Sequence, residues 1–287
     1  MEQSNITQTI LNTINYIFET LLSSIDNKLY GILDDLTFIN SDILHDDYFS
    51  KIFGTSTTNG ILLIANSLLL GILLYYAIRY FLAHITYVEA EKPFAFIFKL
   101  IIYCICMNFS YFILEQLLNI NSYITLAIRD LGNQLFGKSI CFSELISIIN
   151  STVSVDNSSL NIFSLDGLLK TTMSMSLLGL VFSYSLRYVM VKIFILISPF
   201  AILSKSSSSL SWFFKSWAKN LFSLLFIQII VSIVLLILFS NKYDSSNLFT
   251  GGIYALLQVN SFVREFIGGV STNVAHSVNN FIGLRKG

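Results

Sequence analysis

The chain has 287 residues, 54% of them hydrophobic and 12% charged, with a formal net charge of zero. Soluble domains carry about 25% charged residues, so the composition excludes an ordinary soluble protein and points to an all-α polytopic membrane protein. The even charge balance excludes a globally basic nucleic-acid binder.

The first 20 residues lack a basic region followed by a compact apolar core, so no secretory signal is read there and membrane entry is expected through internal helices. Ile6, Ile10, Ile14, Ile17, Leu21, Ile25, Leu29, Ile32 and Leu36 recur at steps of three and four, one stripe of an amphipathic helix. Ser4 or Asn5 is placed to cap it. No run here reaches the roughly 20 apolar residues of a span. Helices that lie on lipid are rich in Lys and Arg. This one has Lys28 against Glu19, Asp26, Asp34 and Asp35, so docking on protein is expected. Residues 37–60, with Asp42, Asp46, Asp47 and a polar GTSTTNG run, read as a linker, with His45 solvated.

Residues 61–83 are the first predicted span, ending in Tyr75, Tyr76, Arg79 and Tyr80. Residues 94–118 are the second, with Lys99 near its start and Glu115 at its end. Glu115 is expected to snorkel to the surface, the sharper alternative being an ion-coupling carboxylate. Cys104 and Cys106 stand two apart and face different sides of a helix. With Cys141 they make an odd count of three, against a disulfide framework or metal pair. Residues 119–167 read as a small outer loop domain, which leaves Cys141 open to an impermeant thiol reagent. Asn150 and Asn157 match glycosylation sequons, read as chance.

The third span is predicted over 168–198. Gly179 and Ser183 stand four apart and allow close approach of another helix. Arg187 lies one turn further on that face. Snorkelling is the plain reading, and a contact with a neighbouring helix or a pore-lining charge the sharper one. This helix is expected to end near Ser198 and Pro199, since proline removes a backbone donor. A polar turn follows, with Lys205, Lys215 and Lys219 marking it as cytoplasmic and Trp212 and Trp217 at the interface. Residues 217–239 are the fourth span. Residues 248–263 are a fifth span or a re-entrant segment, and 264–287 an amphipathic tail.

The domain reading is therefore an outer helix and acidic linker (1–60), two spans (61–118), an outer loop domain (119–167), three spans with a cytoplasmic hairpin turn (168–267) and a cytoplasmic tail (268–287). With the N-terminus outside, eleven of the 17 basic residues fall inside and 14 of the 17 acids outside, as the positive-inside rule requires. There is no phosphate-binding loop, no HExxH and no nucleophile–base motif, so neither catalytic residue, metal site nor cofactor is expected. No inverted repeat is visible, and charges in the spans are few and near their ends, which weakens a proton-coupled transporter.

Arg187-Tyr188 running into Ser198-Pro199-Phe200-Ala201, the short polar turn, and Phe213-Phe214 with Trp217 opening the next span resemble the VirB6/TrbL family. These are polytopic inner-membrane subunits of type IV secretion and conjugation machines. The segment NSFVREFIGGVST, from Asn260 to Thr272, resembles the Gram-positive branch. The resemblance covers about a third of the chain. The family layout, with an outer N-terminus, about five spans and an inner C-terminus, is similar to the one read here. The resemblance implies a channel subunit of the bacterial cytoplasmic membrane that helps pass a DNA–protein substrate. The partners it implies are other secretion-channel subunits and their ATPases, further copies of the same chain, membrane lipid and, transiently, the transferred DNA. The outer loop is short, so a substrate-binding role for a long loop is not carried over. On this reading Gly179, Ser183 and Arg187 pack helices or line a channel, and Pro199, Trp212, Lys215, Trp217 and Lys219 form the cytoplasmic hairpin and contact partners. The rival readings are a membrane subunit of a small-molecule transporter, with Arg187 as its one midplane candidate, and an assembly factor without a pore.

Overall fold

The computed structural model describes residues 31–55, 59–86, 93–153, 165–240 and 246–268, together with helical positions 9, 10, 12–14, 16, 17 and 20. Among these residues the fold is all-α. Residues 31–37 are helical and are labelled α1. A 3-10 turn (Ser41–Leu44) follows, then α2 (Asp47–Phe53), α3 (Ile61–Thr86), α4 (Pro93–Asn108), α5 (Ser110–Phe136), α6 (Phe142–Val153), α7 (Leu165–Ser204), α8 (Ser211–Ser240) and α9 (Ser246–Ile267).

The bundle is built around α8, which packs on α5, α7 and α9. Its residues Leu221, Leu224, Ile227, Val231, Leu235 and Leu238 are buried at helical spacing. α7 and α8 form an antiparallel hairpin, with Trp217 opposite Phe194 and Leu224 opposite Arg187. α9 runs back along α8, its Gly252 against Leu238 and its Gly268 against the Lys219 side chain. α5 lies on α8 where Gly132 meets Ile140 and Leu236. α3 and α4 make a separate antiparallel hairpin. The Asn66 and Asn108 amides exchange hydrogen bonds of 3.2 Å, and Tyr76 stacks on Phe96. This hairpin is fastened to the bundle through Ala65, Met107 and Leu203.

Three helices are long and apolar enough to cross a membrane: Ile61–Thr86, Thr171–Ser204 and Ser211–Ser240. The α4–α5 pair, bent by 56° at Phe109, makes a fourth if taken as one span. The fifth apolar stretch, expected over 248–263, is the 22-residue helix α9.

Several expectations are corrected. The second span does not run unbroken over 94–118. The Asn108 amide donates to the Cys104 carbonyl and the Ser110 hydroxyl to the Met107 carbonyl. Such back-bonding side chains compete with the helix ladder and mark its break. The region 119–167 is not a loop domain where it is described: α5 continues to Phe136, and α6 packs Phe142, Leu145 and Ile146 into the main core. Cys141 is buried there, its Sγ 3.0 Å from the Ser143 Oγ, so it is not an accessible thiol. Nor does α7 end at Pro199; it continues to Ser204. Residues 37–55 are not a linker: Ile39, Ile43, Leu44, Phe49 and Phe53 are all core residues. The expected stripe members Ile10, Ile14 and Ile17 are exposed, and the rest of that stripe before residue 31 lies outside the described residues.

The assignment of sides by charge is also corrected. It put Asp46 outside and Lys192 inside, yet Lys192 Nζ lies 3.5 Å from Asp46 Oδ2. It likewise put the start of α3 and the end of α7 on opposite sides, yet Ala65 and Leu203 share one cluster. Counting charges treats every span as an independent crossing, whereas here 31–55 reaches into the bundle.

Adjacent glycines of α9 offer a test of this packing. A Cβ on Gly252 would collide with the Leu238 side chain, whereas one on Gly251 meets nothing within 4 Å. Gly252→Ala should lower stability by about 1–3 kcal/mol, the usual range for overpacking. Gly251→Ala should be neutral or slightly stabilising, because alanine is the better helix former. Thermal unfolding of the purified chain in detergent reads both; equal effects would refute the α8–α9 interface.

Candidate functional site

The largest fully buried side chain is that of Arg187, with 0% exposure. Its position midway along α7 points the guanidinium between α8 and the end of α1. Nε donates to the Leu224 carbonyl at 2.8 Å, Nη1 to the Thr37 carbonyl at 2.8 Å and Nη2 to Gln228 Oε1 at 3.2 Å. Gln228 Oε1 also accepts from the backbone N–H of Ile39 at 3.1 Å. Among the described residues no carboxylate lies within ion-pair distance of Arg187. The compensation comes from Thr37, the last residue of α1. Carbonyls at a helix C-terminus have no intrahelical partner and carry partial negative charge. Arg187 thus caps a helix that ends inside the bundle, and it neither snorkels nor lines an open pore.

The segment that follows α1, residues 38–55, is a strap held on both sides of this clasp. Asp34 accepts from the backbone N–H groups of Phe142 (2.8 Å) and Ser143 (3.1 Å), capping α6 from a distant part of the sequence. Arg129 donates to the Ile140 carbonyl at 2.8 Å and lies 4.4 Å from the Phe38 ring centroid. Tyr111 donates to the Leu44 carbonyl at 2.6 Å. Glu115 Oε1 is 3.5 Å from His45 Nε2, so this carboxylate is paired with the strap rather than simply directed to solvent. Tyr184, fully buried beside the clasp, has a hydroxyl with no hydrogen-bond partner.

Gly179 and Ser183 face α9. The nearest side-chain atom to a Cβ on Gly179 would be Leu257 Cδ2 at 3.4 Å, and Asn260 Nδ2 donates to Ser183 Oγ. The small pair therefore admits α9, and Arg187, one turn on, turns to α8 and α1 instead.

At the turn the expected residues separate. Trp217 is 8% exposed and its Nε1 donates to the Phe194 carbonyl at 2.8 Å. Pro199 is buried within α7. Both belong to the inside of the hairpin, which corrects their expected place on a partner-contact surface. Proline leaves the Ile195 carbonyl without its usual donor, and the indole ties the neighbouring carbonyl to α8. Trp212, at 64% exposure, and Lys215 and Lys219 point outward. Lys205 Nζ lies 5.6 Å from the Phe214 ring centroid. Among the described residues no group of three His, Cys, Asp or Glu is placed to hold a metal.

Sequence reasoning passed over Gln228, Thr37, Asp34 and Arg129. For Gln228 a signal was present: it is the one amide inside the apolar run LFIQIIVS of α8. A polar side chain so placed turns into the bundle.

Removing the guanidinium should unfasten the strap. Arg187→Leu leaves the Thr37 carbonyl without its donor, at about 1–3 kcal/mol for a buried acceptor left unpaired. It should lower the melting temperature in detergent and expose residues 38–55 to limited proteolysis. Arg187→Lys keeps the charge but not the planar fork and should fall between. An unchanged melting temperature and cleavage pattern in Arg187→Leu would refute the clasp.

Compared with models of known protein families, with curated proteins and with solved structures, the chain matched none.

Proposed function

We propose that this protein is a structural subunit of a conjugative type IV secretion channel, a multi-pass membrane component that helps pass a DNA–protein substrate across the bacterial cytoplasmic membrane. The support is the sequence resemblance of the hairpin to the VirB6/TrbL family, together with how that hairpin is built. Of the residues that carry the resemblance, Arg187, Pro199 and Trp217 are spent on internal packing. Trp212, Lys205, Lys215 and Lys219 are left outward at the turn.

The observation that carries the reading is this division. A hairpin locked internally by an arginine clasp and an indole bond presents a fixed aromatic and basic end. That suits a subunit that receives partner proteins, the channel's other subunits and its ATPases, better than a carrier that must rearrange around a solute. The transporter reading is not pursued, because Arg187, its midplane candidate, already has three acceptors.

The test is DNA transfer from a donor strain that lacks the gene, with the gene restored in trans. Transfer should be lost and then recovered, at normal growth. Trp212→Ala combined with Lys215→Gln should reduce transfer while the protein accumulates in the membrane at its usual level, since both side chains are exposed and neither supports the core. Undiminished transfer from the deleted donor would refute the secretion reading.

A further inference from the structure

An open groove of about 440 Å³ lies where α3 crosses the turn end of the α7–α8 hairpin. Its wall is formed by Leu68 and Ile72 of α3, Phe200 and Leu203 of α7, and Trp212 and Phe213 of α8. That volume is within the range of about 300–1,000 Å³ typical of ligand pockets, and the wall is almost entirely apolar. The charged residues that the hairpin itself brings to this end are basic. Lys205 follows Ser204 of the wall, and Lys215 comes two residues after Phe213; both are exposed. No Asp or Glu occurs in the sequence between Gly167 and Tyr243, so no acid from the hairpin itself neutralises them. An apolar slot beside uncompensated ammonium groups matches the two halves of one ligand, an acyl chain and an anionic headgroup.

We infer that this groove is a binding site for an anionic phospholipid, the acyl chain lying between α3 and the hairpin and the headgroup phosphate meeting Lys205 and Lys215. Basic residues near an anionic leaflet attract it electrostatically, and an indole such as that of Trp212 favours the half-wet boundary. The lipid would lie against α3 beside its packing on α7, next to the cluster at Ala65, Met107 and Leu203. The inference does not depend on the secretion reading.

The chain has two tryptophans, one in the groove wall and one buried against Phe194, which makes fluorescence quenching a direct test. The full-length protein is reconstituted in vesicles of phosphatidylcholine containing a small fraction of brominated phosphatidylglycerol or, separately, brominated phosphatidylcholine. Brominated phosphatidylglycerol should quench at an apparent affinity about thirtyfold tighter, the contribution of two lysines near an anionic surface. Trp212→Phe should abolish the quenching, and Lys205→Gln with Lys215→Gln should abolish the preference. Leu203→Phe, which narrows the slot, should weaken quenching by both lipids. Equal quenching by the two lipids in the unaltered protein, or a preference that survives Trp212→Phe, would overturn the site.

Discussion

Everything in the bundle is arranged around one cation buried without an acid. A charged group removed from water must find compensation inside the protein or leave its site. For Arg187 the compensation is two main-chain carbonyls, one at the end of α1 and one on α8, and an amide oxygen also on α8. The guanidinium fork suits this because its donors radiate in a plane and can serve three acceptors at once. The result is a tie between α7, α8 and the end of α1 that hydrophobic contact alone would not specify, since apolar faces slide over one another in lipid at little cost. The clasp also fixes register: a shift of one residue along α8 would carry Leu224 and Gln228 off the fork together.

The clasp explains why the chain between α1 and α2 is ordered and buried. Residues 38–40 are not helical, and backbone groups taken out of water need partners. Gln228 takes the Ile39 N–H, and Arg187 takes the Thr37 carbonyl. On either side, Asp34 and Tyr111 extend the same pattern, a side chain from one element closing the backbone of another. The N-terminal strap is thus held chiefly through main-chain groups, with Leu33, Ile39, Leu44 and Phe53 filling the space between.

Part of this architecture was legible in the sequence and part was not. The all-α membrane class, the first span and the α7–α8 hairpin were legible because long apolar runs have few alternatives. The strap was not. Its apolar residues alternate with Asp42, Asp46 and Asp47 over two helical pieces of 4 and 7 residues, too short for a period to show. Arg187 stood out as a charge in a span, but its partners did not, since two of its three acceptors are backbone atoms that any residue could supply. Pro199 misled for a related reason: a proline need not end a helix that its surroundings hold, and here the indole of Trp217, 18 residues further along, ties the adjoining Phe194 carbonyl to α8.

The same distribution of bonds indicates where change is possible. The α7–α8 hairpin, α9 and the strap are knit by directional polar contacts through their middle, so they move as one body or come apart. The α3–α4 hairpin is different. It packs on α7 through apolar contacts that include Ala65, Met107 and Leu203, its Asn66–Asn108 bond is internal, and one side of α3 is open along much of its length. Contacts without direction permit displacement at little energetic penalty. A subunit that assembles with others and still adjusts its surface would need this combination, a core whose register is fixed by Arg187 and a peripheral hairpin whose position is set by whatever fills the groove beside Trp212.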